Sequence, residues 1–166
     1  TQFEEKWDSL KIFVEYGMLT EERFYDRAAK FSLLKNMEDK YFTLEEYKRV
    51  IEGSQTDKHG TLVYLYANNK EEQYTFIDAA KGKGYDVLMM DGQLDVHWMG
   101  LLEQKLEKTR FVRVDSDTVE HLIEKEEKST VELTDKEKEN LTEAVKSLVP
   151  PIAKTEFNVD FKSLGE

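Results

Sequence analysis

The sequence predicts an α/β fold: a helical connector, then a small three-layer αβα unit with a short parallel sheet, then a C-terminal helix. Three observations predict it. Nearly continuous apolar runs stand at Leu62-Val63-Tyr64-Leu65-Tyr66, Val87-Leu88-Met89-Met90 and Phe111-Val112-Arg113-Val114. Segments with helical spacing separate them, from Lys70 to Lys81 and from Asp95 to Lys108. Polar or glycine-bearing breaks, Asn68-Asn69, Gly82 with Gly84, and Asp91-Gly92, punctuate the junctions. Parallel strands cannot be joined by a tight turn, so short strands alternating with helices imply right-handed βαβ crossovers. Runs apolar throughout, instead of alternating, suit strands covered on both faces.

The chain opens in a helical pattern. Phe3, Trp7, Leu10 and Val14 recur at helical spacing, and Gly17 stands where a left-handed C-terminal cap would end the helix. Thr20 is placed to cap a second helix running to about residue 35. Glu21 and Glu22 complement its dipole, and Phe24, Ala28 and Phe31 mark its buried stripe. Thr43 with Glu46 forms a capping-box pattern for a short helix carrying Leu44, Tyr47 and Ile51. Residues 52–60 read as a polar loop.

Within the central unit, Asn68 or Asn69 caps the first crossover helix, whose apolar face is Tyr74, Ile77 and Ala80. Asp95 caps the second, with Leu102 and Leu106 inside, and Ser116 caps a further helix through Val119, Leu122 and Ile123. Glu124 to Thr130 is a charged linker. Thr134 with Glu137 starts a helix carrying Leu141, Val145 and Leu148, which Pro150-Pro151 stops. Residues Glu156 to Phe161 alternate weakly, as a strand does.

Composition excludes several classes. A net charge of −11 argues against nucleic acid or an anionic membrane as partner, since both need a basic face. With no cysteine there is no disulfide framework and no thiolate metal site. No apolar run approaches a membrane span and no signal peptide is present. The chain begins without Met inside a helical pattern, which reads as part of something longer.

The residues offer little catalytic chemistry. Gly82 and Gly84 follow a helix and do not open one, so they form no phosphate cradle. His59, His97 and His121 are scattered without metal-ligand spacing. The acidic pairs Glu45-Glu46, Glu71-Glu72 and Glu126-Glu127 fall in first turns or a solvated stretch, where they complement dipoles. Asp91 alone occupies a position where open α/β sheets bind ligands, at the carboxyl end of a strand. No enzyme is legible in this chain.

Several blocks nevertheless carry a family signature. They are Tyr16-Gly-Met-Leu-Thr-Glu-Glu-Arg-Phe-Tyr-Asp-Arg-Ala-Ala-Lys-Phe-Ser-Leu-Leu, Tyr41-Phe-Thr-Leu-Glu-Glu-Tyr-Lys, Gln55-Thr-Asp-Lys, Leu62-Val-Tyr-Leu-Tyr-Ala, Gly84-Tyr-Asp-Val-Leu-Met-Met-Asp-Gly-Gln-Leu-Asp and Arg110-Phe-Val-Arg-Val-Asp. In this order they resemble the bacterial branch of the Hsp90 family of molecular chaperones, over most of Phe3 to Leu122. The resemblance implies the second half of that family's middle domain. Residues 1–58 would be its helical connector, 59–124 its small αβα subdomain, and 125–166 a charged linker with the first elements of the C-terminal domain.

That family consists of homodimeric, ATP-dependent chaperones of unfolded or partly folded client proteins, working in the cytoplasm. ATP and Mg belong to an N-terminal domain outside this stretch, and the arginine reaching towards ATP lies upstream, so no cofactor is expected here. Exposed residues linked to client binding in the family correspond to His97 and Leu101. Neither is aromatic in this sequence, which leaves the edge of Trp98 as the source of a ring. Helical spacing itself puts Trp98, Leu102 and Leu106 on one arc, the core side, with His97 and Leu101 on an exposed flank. The other reading is a self-standing α/β ligand-binding or regulatory domain using the carboxyl edge near Asp91.

Overall fold

A computed structural model describes residues 2–126. The expected linker beyond Glu126, the helix about Leu141 and the strand about Glu156–Phe161 lie outside the described residues. Thr1–Lys125 forms one compact unit.

Helix α1 (Gln2–Thr20) runs on past Gly17 instead of stopping there. The glycine serves a close approach: a Cβ at this position would stand 2.7 Å from the Phe24 ring. The buried face of α1 also differs from the expected stripe. Trp7, Glu15 and Met18 are buried, while Phe3 and Leu10 are exposed. Thr20 does not cap the next helix; its hydroxyl donates back to the Tyr16 carbonyl at 2.8 Å. Helix α2 (Glu22–Ala28) is short and begins without a side-chain cap. It buries Tyr25 and Ala28, not Phe24 or Phe31.

The second expected helix ends early because a hairpin replaces its last turns. Strands β1 (Leu33–Lys35) and β2 (Tyr41–Thr43) pair antiparallel, with Leu34 opposite Phe42. The turn between them is built by Asn36, whose side-chain oxygen accepts from the backbone N–H of Glu38 and of Lys40, both at 3.0 Å. Asp39 adopts φ 60, a left-handed conformation that aspartate tolerates better than most residues. Helix α3 (Leu44–Ile51) starts with the expected capping box: Glu46 N–H donates to the Thr43 hydroxyl and Thr43 N–H to the Glu46 carboxylate. Thr43→Ala removes one half of it and costs about 1 kcal/mol of unfolding free energy by urea titration.

Strand β3 (Leu62–Ala67) is the centre of the fold. It pairs in parallel with β4 (Val87–Met89) on one side and β5 (Thr109–Arg113) on the other, giving the order β4-β3-β5. The parallel crossovers expected from the sequence are therefore present. Alternate residues of β3 enter two cores. Val63, Leu65 and Ala67 pack with Ile77 and Ala80 of α4 (Tyr74–Gly82). Leu62 and Tyr64 pack on the other side with Met18, Tyr47 and the helix α5 (Asp95–Lys105) residues Trp98, Met99 and Leu102. A chain of rings, Phe42–Tyr47–Tyr64–Phe111, crosses this second core with centroids 4.9 to 5.7 Å apart.

Three more expectations are corrected. Tyr74, read as part of the buried face of α4, is exposed. Asn69 accepts from the N–H groups of Glu71 and Glu72, so it organises a turn before the helix begins at Tyr74. After β5, no helix forms at Ser116–Ile123; turns carry the chain instead. Leu122 and Ile123 are still buried. The tail is fastened by Lys125, whose ammonium donates to the carbonyls of Ser54 and Thr56.

Candidate functional site

Helix α5 carries the residues singled out from the sequence, and the fold separates them. His97 is exposed. Trp98 is 1% exposed and belongs to the core, where its indole Nε1–H donates to Met18 Sδ at 3.4 Å. It presents no edge to solvent, so the ring expected beside His97 is not at the surface. Leu101 is half-buried and packs against the same core, correcting its expected place on an exposed flank. The exposed apolar neighbour of His97 is Val96, at 69%.

The N-terminus of α5 holds a group of charges that sequence reading did not join. Asp95 stands one residue inside the helix instead of capping it, and the cap position falls to Leu94. Its carboxylate Oδ2 accepts from the Gly92 backbone N–H and from Lys11 Nζ of α1, each at 2.8 Å. Glycine at 92 permits this turn, since a Cβ there would lie 3.0 Å from the Asp95 carboxylate. Glu15, one turn along α1 from Lys11, is 2% exposed and its Oε1 is 3.8 Å from Lys11 Nζ. Two buried carboxyls thus stand near one ammonium, which sits 2.7 Å from Asp95 Oδ1 and is paired with it. Burial, reinforced by the neighbouring Asp95 carboxylate, pushes the Glu15 carboxyl up to about 8, so at neutral pH it keeps its proton. Lys11 and Glu15, four apart, have the spacing of an ordinary solvated helix pair. Burial of that face is the fact the sequence hides.

These charges adjoin a cavity of about 320 Å³ between α1, β1, the carboxyl end of β4 and the segment after β3. Trp7, Ile12, Leu34, Met89, Met90 and Trp98 are among its apolar lining residues. Asp91, expected at a ligand-binding edge, lines it too, together with Lys70 from the segment after β3. Among the described residues, no group of His, Asp or Glu is arranged to hold a metal ion, and no helix is long and apolar enough to cross a membrane.

No family model matches the chain. Curated relatives do. The chain is 58% identical over 165 residues to chaperone protein htpG of Bacteroides fragilis strain YCH46, covering 99% of this chain and 24% of that protein. Identity is 54% over 165 residues to HtpG of Bacteroides thetaiotaomicron, again 99% and 24%. It is 56% over 163 residues to HtpG of Porphyromonas gingivalis strain ATCC 33277, 98% and 24%. The chain therefore spans about a quarter of the length of these relatives. Among solved structures, the middle domain of a Plasmodium falciparum heat shock protein is similar with a TM-score of 0.47 at 17% identity, covering 63% of this chain and 44% of that one.

Proposed function

Because the chain belongs to the Hsp90 family of molecular chaperones, in its HtpG branch, we propose that it is a segment of an ATP-dependent chaperone. It couples domain motion and contributes to binding unfolded or partly folded clients. Identity of 58% over 99% of this chain to an HtpG chaperone carries this reading. Within the parent, residues 1–58 serve as the helical connector of the middle domain and 59–124 as its small αβα subdomain. Residues 125–166 lead into the C-terminal domain. ATP and Mg act in the N-terminal domain of the cytoplasmic homodimer, and this segment neither binds nor hydrolyses nucleotide.

The packing supports a transmitting role. Helix α1, 19 residues long, is fixed to the sheet unit at Met18 and by the Lys11–Asp95 ion pair at 2.7 Å. Displacement of α1 therefore carries the sheet with it. For clients, α5 offers the exposed Val96 and His97 near its N-terminus, with Leu101 half-buried one turn on. Desolvating one such apolar anchor is worth about 1–2 kcal/mol, which suits weak and promiscuous contact.

The test is a chimera in which this chain replaces the matching quarter of Bacteroides fragilis HtpG. It retains most of the parent's suppression of a model client's aggregation. Adding Val96→Ser and His97→Ser to the chimera lowers suppression at least twofold with an unchanged melting temperature. A folded chimera without suppression overturns the chaperone reading. Unchanged suppression in the double variant removes the patch on α5.

A further inference from the structure

We propose that the cavity between α1, β1 and the carboxyl end of β4 binds an alkylammonium group, with Glu15 as its counter-charge. The inference does not depend on client binding. Glu15 lines the cavity at 2% exposure, and its Oε1 makes no hydrogen bond. The nearest cation, Lys11, is committed elsewhere: its Nζ lies 2.7 Å from Asp95 Oδ1 and 3.8 Å from Glu15 Oε1. A buried carboxyl of this kind is one cation short of neutral pairing when it ionises.

The other cations at the cavity are also engaged. Lys35 is paired with Asp8 at 3.1 Å and Asp39 at 3.4 Å, and Lys70 donates to the Met37 carbonyl at 3.1 Å. Asp91 adds a further carboxylate to the lining. An anion entering would meet Asp91 in the lining and the Asp95 charge behind Glu15. A neutral apolar molecule would leave the Glu15 oxygen unpaired. An ammonium on a short alkyl stem meets both demands. Its N–H donors reach the carboxylate, its methylenes lie against Met89 and Met90, and indoles at Trp7 and Trp98 favour a cation beside them. On binding, Glu15 releases its proton to solvent and the ammonium takes over the pairing. The cavity volume falls within the range of small-ligand sites.

The alkylammonium can be a free amine or a lysine side chain borne on another chain, and the probes separate them. The full chain, labelled with ¹⁵N, is titrated at pH 8 with n-butylammonium, with n-butanol and with N-acetyl-lysine methylamide, following the indole N–H signals of Trp7 and Trp98. Butylammonium gives saturable shifts, and butanol binds at least tenfold more weakly. Binding of the lysine derivative admits a chain-borne lysine; its failure beside bound butylammonium restricts the site to free amines. Glu15→Gln weakens butylammonium at least fivefold while its unliganded indole signals stay dispersed, which shows that it folds. Absence of saturable shifts, equal binding of butanol and butylammonium, or unchanged affinity in the folded Glu15→Gln variant overturns the proposal. The assay contains neither client nor nucleotide, so its failure leaves the chaperone reading standing.

Discussion

Trp98→Ala lowers the free energy of unfolding by about 3–5 kcal/mol, the range for truncating a buried aromatic side chain. His97→Ser, one residue away on the same helix, stays within about 0.5 kcal/mol because it removes only exposed surface. The contrast follows from where α5 points. Trp98 is 1% exposed and packs in the core that holds Met18, Tyr64 and Leu102. Its indole N–H also donates to the Met18 sulfur, which the buried Ser32 hydroxyl approaches at 3.3 Å. Alanine leaves a void where three elements meet. The surrounding strand and helices cannot close it without losing their own contacts. Urea unfolding of the two variants measures both values. A Trp98→Ala cost below about 1 kcal/mol would show that the indole is not part of the core.

The parallel sheet was legible because burial on both faces forces an unmistakable pattern. Strand β3 must be apolar at successive positions, and Leu62 through Leu65 are all buried. The β1–β2 hairpin was not, because Leu34, three residues after Phe31, prolongs the helical spacing of Phe24, Ala28 and Phe31. The deciding information sits in the turn, where Asn36 replaces backbone partners and Asp39 takes a positive φ. A helical wheel also failed at Leu101. On an ideal arc it falls beside His97, but α5 lies in an angle between α1 and the sheet, so contacts reach further round the helix than one stripe.

The candidate site was legible in Asp91 and, with a different role in view, in Trp98. Asp91 was placed at the carboxyl edge of a strand, and the cavity is there. Its charged floor was hidden, since Glu15 and Asp95 lie far apart in sequence and each has an ordinary local explanation, a helix-face pair for one and a cap for the other. Only the packing of α1 on α5 turns two routine carboxyls into a buried pair.

That pair makes stability depend on pH in a stated direction. Glu15 holds its proton up to about 8 in the fold, against an ordinary value of 4.5. The native state thus binds a proton that the unfolded chain has lost. Stability from this group is complete below 4.5 and is lost as pH rises through 8. Over that window the loss is roughly 1.4 kcal/mol per pH unit. The charges facing Glu15 are Lys11 on its own helix and Asp95 on α5. Asp8, further along α1, also lines the cavity, with Lys35, Asp39, Lys70 and Asp91 from other segments. Burial raises Asp86 as well, so the wild-type slope alone is not specific to Glu15. Glu15→Gln supplies the comparison: its amide donates to Asp95 at every pH and requires no proton. Urea midpoints measured at pH 5, 6.5 and 8 fall steeply in the wild type and much less in the variant, which is the more stable of the two at pH 8. Parallel lines for the two proteins would mean that Glu15 is ionised in the fold and that Lys11 serves both carboxylates.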